Sequence, residues 1–148
     1  MTARTNARVK LSSCGLRYQP PPVSNVTYDV RGLKNPDRVA ALRPLTGLND
    51  EVATYVLDQE LAQETLDVLI AGIVLQLQCT TRLPAGELRV TLYCTSGKHL
   101  SVAMVEELAA QLRLARPDVV VVTEHLNIRS DQEDPRREIE PDQMWQPR

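Results

Sequence analysis

The sequence predicts an α/β domain, a small and mainly parallel sheet flanked by helices in a single domain. Three observations predict it. Residues 88–93 (LRVTLY) place Leu88, Val90 and Leu92 at every second position, and residues 100–114 then carry Leu100, Met104, Leu108 and Leu112 at helical spacing. Residues 119–123 (VVVVT) have the uniform Val content of a buried, central parallel strand. Residues 60–79 present Leu61, Leu66, Leu69, Ile73 and Leu77, a wide apolar face that predicts a well-buried helix.

The remaining elements follow in order. Residues 1–9 (MTARTNARV) read as a loose arm. Residues 10–18 read as a strand that the prolines at 20–22 end, because proline cannot donate to a ladder. Residues 25–30 (NVTYDV) read as a second strand, which delivers Asp29 and Arg31 to its C-terminal end. The stretch 32–48 is loop-like, with a short helical turn around 37–42 and turn signals at Asn35-Pro36 and Arg43-Pro44. Asn49 or Asp50 caps a helix that runs to about Asp58. Pro84-Ala85-Gly86 turns the chain into the strand at Leu88, and Pro117-Asp118 turns it into the last strand. From Arg129 onward the chain is polar and proline-rich with little to bury, which predicts a disordered tail over 129–148.

Composition removes several function classes. A hydrophobic content of 43% over 148 residues supports one globular core. The net charge of −2 gives no drive toward nucleic acid or an anionic membrane. With no Phe, and only Tyr18, Tyr28, Tyr55, Tyr93 and Trp145 aromatic, the chain is poor material for a base-stacking platform. Cys14, Cys79 and Cys94 are odd in number and lack metal-ligand spacing, which fits a reducing cytoplasm and predicts neither a metal nor a cofactor. No apolar run reaches the length of a membrane span, and the polar N-terminus has no signal core.

The stretch that carries chemistry is Cys94-Thr95-Ser96-Gly97-Lys98-His99, a polar loop between a strand and a helix. Free N–H groups and the positive end of the helix dipole meet there, which favours anions. Lys98 and His99 add donors at the same point. An ordinary connection with a Ser or Thr helix cap reads the same on this stretch alone, because cap and anion-site chemistry look alike. The loop is not a Walker A sequence, since Leu92 stands at the first Gly position and His99 at the Ser/Thr position. It is not a Cys-phosphatase loop either, since Leu100 stands where the phosphate-holding Arg belongs. Cys94 is therefore read as a buried thiol, with no catalytic residue assigned.

Five ordered motifs carry a family resemblance: Ser13-x-Gly15-x-x-Tyr18, Asp29-Val30-Arg31, Asn35-Pro36, Leu42-Arg43-Pro44-Leu45-Thr46-Gly47-Leu48 and Cys94-Thr95-x-Gly97-Lys98-His99-x-Ser101-Val102. Over roughly residues 10–128 the chain resembles the C-terminal domain of the RapZ family, RNase adapter proteins that also contain an N-terminal P-loop domain. No Walker A sequence occurs in these 148 residues, so ATPase or kinase activity is not implied. The resemblance implies binding of a phosphorylated amino sugar, glucosamine 6-phosphate, and in some members of a small RNA and a ribonuclease. It marks Asp29, Arg31, Arg43, Thr46, Cys94, Thr95, Gly97, Lys98, His99 and, more weakly, His125 as ligand-binding positions, to which the loop reading adds Ser96. The chain departs from the family at Asp37 (His in the family), Ser96 (Gly), Leu100 (Arg) and Leu126 (Arg), and its tail is slightly acidic where the family's end is basic.

Three functional readings follow, ranked in this order. The first is a non-catalytic sensing or adapter module that binds a phosphosugar or similar anion at residues 94–99. The second is an adapter for RNA or a ribonuclease, which the charge balance opposes in its RNA part. The third is an enzyme acting on a phosphorylated metabolite through Cys94 or His99, for which His99 and Asp29 would have to pair. A protein partner or self-association is compatible with each, and Arg31 is the expected replacement for the missing phosphate-binding Arg.

Overall fold

In the computed structural model, which describes residues 7–80 and 86–133, the alternation becomes a four-stranded, all-parallel sheet. The elements are β1 (Arg8–Gly15), β2 (Val26–Asp29), a 3-10 turn (Pro36–Arg38), α1 (Asp50–Leu57), α2 (Glu60–Thr80), β3 (Glu87–Cys94), α3 (Leu100–Ala115), β4 (Val120–His125) and the short α4 (Ser130–Glu133). The strand order is β2-β3-β1-β4. The steps from β2 to β3 and from β3 to β4 run the same way across the sheet. Right-handed crossovers therefore put α1, α2 and α3 on one face.

That face holds the core. Val9 and Leu11 of β1, Leu88, Val90 and Leu92 of β3, and Val121 of β4 share one buried cluster with Val52 and Val56 of α1, Leu66 and Ile73 of α2, and Met104, Leu108 and Leu112 of α3. Alternation on the strands and the i, i+4 spacing on α3 are thus satisfied against each other. The connection from β1 to β2 has no helix among its residues. It crosses the opposite face, where Ser24 Oγ lies 2.7 Å from Thr91 Oγ1 and Cys14, Leu16 and Tyr93 form a second small cluster.

Several boundaries and placements differ from expectation. β1 starts at Arg8, within the stretch read as a loose arm, and ends at Gly15 rather than 18. The prolines do not end it; the N–H groups of Tyr18 and Gln19 fold back onto the Gly15 carbonyl. β4 is an edge strand, not a central one, and Val120 is 51% exposed on it. Four consecutive valines express β-propensity as much as two-sided burial. On α2 the buried line is Ala62, Leu66, Leu69, Ile73 and Leu77, whereas Leu61 faces solvent. Asn49 occupies the N-cap of α1, but its side chain accepts from the Thr46 N–H instead of capping the helix. The helical turn expected around 37–42 is a single 3-10 turn, Pro36–Arg38. α4 lies within the stretch read as a tail. Residues 1–6, 81–85 and 134–148, with the rest of that arm and tail and most of the Pro84 turn, lie outside the described residues.

One contact locks the C-terminal edge of the sheet. Gly97 has φ +68°, and a Cβ on it would sit 2.6 Å from the Gly15 nitrogen. A Cβ on Gly15 would sit 2.4 Å from the Ser96 carbonyl carbon. Gly97→Ala should therefore cost at least about 2 kcal/mol in urea denaturation, through left-handed strain and overlap with backbone that cannot yield. Gly72→Ala, in the interior of α2 with nothing within 4 Å, should instead add about 1 kcal/mol from helix propensity. Equal stability of the two variants would contradict this reading of the edge.

Candidate functional site

Parallel strands end on one edge, so the loops after β2 and β3 meet there. Between them lies a cleft of about 390 Å³ lined by Arg31, Lys34, Asn35, Arg38, Cys94, Thr95 and Ser96, among others. Its lining contains cations and no carboxylate. A second cleft of about 250 Å³ shares Asn35, Thr95 and Ser96 with it, and adds Arg17, Arg43, Lys98, Asp37, Asp131 and His99. Together they form a cation-rich groove centred on Thr95 and Ser96. Among the described residues, the N–H groups of Thr95 and Ser96 have no protein acceptor.

Three of these cations, Arg31, Arg43 and Lys98, are positioned by their neighbours. Asp29, at the end of β2, grips Arg31: its Oδ1 accepts the Arg31 backbone N–H at 2.9 Å and its Oδ2 accepts Nη2 at 2.8 Å. The guanidinium carbon lies 5.7 Å from the centre of the Tyr93 ring, within cation–π range. Burial pushes the Asp29 carboxyl up, but the Arg31 hydrogen bonds and charge outweigh it and hold it below the usual carboxylate range. Arg43 donates Nε to the Asp37 carbonyl at 2.9 Å. Lys98 Nζ pairs with Asp131 Oδ2 at 2.8 Å.

The structure sorts the residues expected from sequence into three groups. Arg31, Cys94, Thr95, Ser96, Arg43, Lys98 and His99 line the groove. Asp29, Thr46 and Gly97 support it from behind. Thr46 shapes the turn before α1 by accepting the Leu48 N–H, and Gly97 packs on Gly15. His125 is absent from the lining of both clefts. Its Nδ1 lies 2.7 Å from Ser13 Oγ and its Nε2 lies 2.6 Å from Glu106 Oε1. A carboxylate only accepts, so Nε2 carries a proton toward Glu106, and the Ser13 hydroxyl meets Nδ1 on the other side of the ring. This array joins β1, β4 and α3. It has the order of a hydrolase triad, but Ser13 is 0% exposed, which closes it to substrate.

Two other chemical arrangements weighed from sequence do not form. His99 and Asp29 are not a pair, because His99 Nε2 faces the Arg43 carbonyl at 3.2 Å and Asp29 is engaged by Arg31. Cys94 is 3% exposed. Its sulfur accepts the Gly97 N–H at 3.2 Å and lies 3.1 Å from Ser101 Oγ, so it organises the loop. Burial, and then the neighbouring Cys94, push Cys14 up to about 12, which keeps that thiol protonated. Nor does a Ser or Thr cap α3: its N-cap is His99, without a side-chain cap bond. Among the described residues, no His, Cys, Asp and Glu cluster could hold a metal, and no helix is long and apolar enough to cross a membrane.

Sequence reasoning missed Lys34, Arg38, Arg17, Tyr18 and Asp131 as lining residues. Lys34 and Arg38 bracket the Asn35-Pro36 turn, a signal that was available; the others depend on fold-back over the edge.

Comparison with known proteins adds a second line. The family model described as the RapZ C-terminal domain matches residues 7–129. A nucleotide-binding protein of Streptomyces coelicolor is 44% identical over 117 residues, which are 78% of this chain and 38% of that protein. A nucleotide-binding protein of Clavibacter michiganensis is 38% identical over 121 residues, 82% of this chain and 41% of its own length. One from Bacillus cytotoxicus is 34% identical over 121 residues, 82% of this chain and 40% of its own. The chain thus spans about two fifths of these relatives.

The groove's buried histidine has a pH consequence. Burial, and then the Lys98 charge, lower the His99 pKa below its ordinary 6.5. Above that pH both folded and unfolded states hold it neutral. As pH falls below 6.5, the unfolded chain gains a proton that the folded chain resists, so stability falls, by at most about 1.4 kcal/mol per pH unit from this group. His99→Gln, which retains a donor toward Arg43, should flatten the urea midpoint between pH 6.5 and 5; an unchanged slope would show that His99 does not titrate in this way.

Proposed function

The chain belongs to the RapZ C-terminal domain family, and on that premise we propose that it is a non-catalytic binding module for a phosphorylated small molecule, with a phosphosugar such as glucosamine 6-phosphate as the ligand class. The observation that carries this reading is the carboxylate-free lining of the larger cleft, where Arg31, Lys34 and Arg38 face Thr95 and Ser96. Cations and backbone N–H groups converging on one concave point are the elements of a phosphate site. Thr95 and Ser96 line both clefts, so a phosphate over them is flanked by Lys98 of the adjoining cleft as well, where Asn35, Asp37 and Tyr18 suit hydroxyl or amino groups.

The missing Arg at Leu100 is compensated in this reading by Arg31, whose guanidinium is held in place by Asp29 and Tyr93 before ligand arrives. Preorganisation of that kind lowers the cost of binding. RNA or a ribonuclease as partner stands as the second reading, and no feature of the groove favours it over a small anion. The relatives' description as nucleotide-binding proteins refers to chains of which this one spans 38–41%, so nucleotides belong in the test.

The test is calorimetric titration with glucosamine 6-phosphate, glucosamine and AMP. Glucosamine 6-phosphate should bind and glucosamine should not. A charge-assisted hydrogen bond is worth roughly 1.5–3 kcal/mol, so Arg31→Ala and Lys34→Ala should each weaken binding about ten- to a hundredfold. Wild-type affinity in both variants would overturn the phosphate reading, and preference for AMP would replace the phosphosugar with a nucleotide.

A further inference from the structure

We propose that Asp131 is a built-in competitor for the ligand's anionic group: its carboxylate occupies Lys98 in the free protein, and ligand binding displaces it together with α4, while Asn127 stays on Gly15. This rests on the phosphate reading of the groove and assigns it a form of regulation.

Four observations carry it. Lys98 and Asp131 line the same cleft, so the pair lies where an anion would reach Lys98. The Lys98 side chain is only 12% exposed and its Nζ is 2.8 Å from Asp131 Oδ2, so an incoming anion meets Lys98 already engaged by that carboxylate. The other oxygen, Asp131 Oδ1, is buried without a hydrogen-bond partner. The Asp131 side chain as a whole stays 37% exposed, so the docked carboxylate is held through Oδ2 alone and gains no hydrogen bond at its other oxygen. Finally, α4 is anchored to the groove's own framework. Asn127 Oδ1 accepts the Gly15 N–H at 2.9 Å, Asn127 Nδ2 donates to Ser130 Oγ at 3.1 Å, and α4 begins with the Ser130 N–H on the Asn127 carbonyl.

The charge count points the same way. Arg17, Arg43 and Lys98 face Asp37 and Asp131 in this cleft, so it is nearly balanced while Asp131 is docked. Releasing Asp131 leaves one carboxylate against three cations, which suits a phosphate. The two anions exclude each other from Lys98, so each binding event opposes the other, as linkage requires. A docked state occupied nine times in ten would reduce apparent affinity about tenfold.

Asp131→Asn removes the competing charge while keeping size and shape. It should bind glucosamine 6-phosphate about tenfold more tightly than wild type, and Lys98→Ala should abolish that gain in the double variant. Hydrogen exchange supplies a second readout that misfolding does not mimic. In the wild type, saturating glucosamine 6-phosphate should speed exchange at the Ser130 and Gln132 amides, the opposite of ordinary ligand protection. Binding by the wild type with equal affinity in Asp131→Asn, and with those amides unchanged or protected, would overturn the competitor and leave the groove reading intact. Absence of binding by wild type and variant alike would overturn both.

Discussion

The approach of the β1 end to the β3–α3 loop, backbone against backbone at Gly15 and Gly97, is the constraint on which the functional edge depends. Neither position has room for a Cβ. The contact is reinforced on both sides. Asn127 Oδ1 takes the Gly15 N–H, and the Cys94 sulfur takes the Gly97 N–H while touching Ser101 at the start of α3. Three segments far apart in sequence thereby share one junction. The chain then leaves Thr95 and Ser96 at the groove with their amides uncommitted, which is how a packed backbone becomes a recognition surface.

The charges are arranged around that rigid floor by a different logic. The floor is held by burial and hydrogen bonds, whereas the cations come from loops, Arg31, Lys34 and Arg38 after β2 and Arg43 before α1. Gly47 ties the second of these loops down, because its N–H donates to the Lys98 carbonyl at 2.9 Å. Arg31 and Lys98 are each held by a carboxylate, Asp29 and Asp131, whereas Lys34 and Arg38 stand beside Arg31 in a lining without one, and like charges so placed repel. A bound anion relieves that repulsion, so the same arrangement that costs stability provides affinity.

The strand–loop–helix over 88–114 was legible because both periods are local, two for the strand and about 3.6 for the helix. The groove's Arg31, Thr95, Ser96 and Lys98 were legible for a related reason, since a parallel sheet brings strand ends to one edge. What sequence could not show depended on chain fold-back. Asp131 stands in a polar stretch with no apolar period, and nothing local signals that its carboxylate reaches Lys98. His125, at a strand end, is marked only weakly as a ligand position, since a lone His there more often packs. Its register opposite Ser13 and its contact with Glu106 on α3 turn it into a tie between layers instead. The valines of β4 misled for a third reason: composition reports β-propensity, and strand order is a property of the crossovers.

The most direct test of the central claim, that an anion is received at the junction of the two loops, is an amide chemical-shift titration of the full chain with glucosamine 6-phosphate. The account predicts saturable shifts at Thr95, Ser96, Lys34 and Arg38, with glucosamine producing none. Shifts confined to Ser12, Ser24, Thr91 and Glu124, on the opposite face of the sheet, would contradict it.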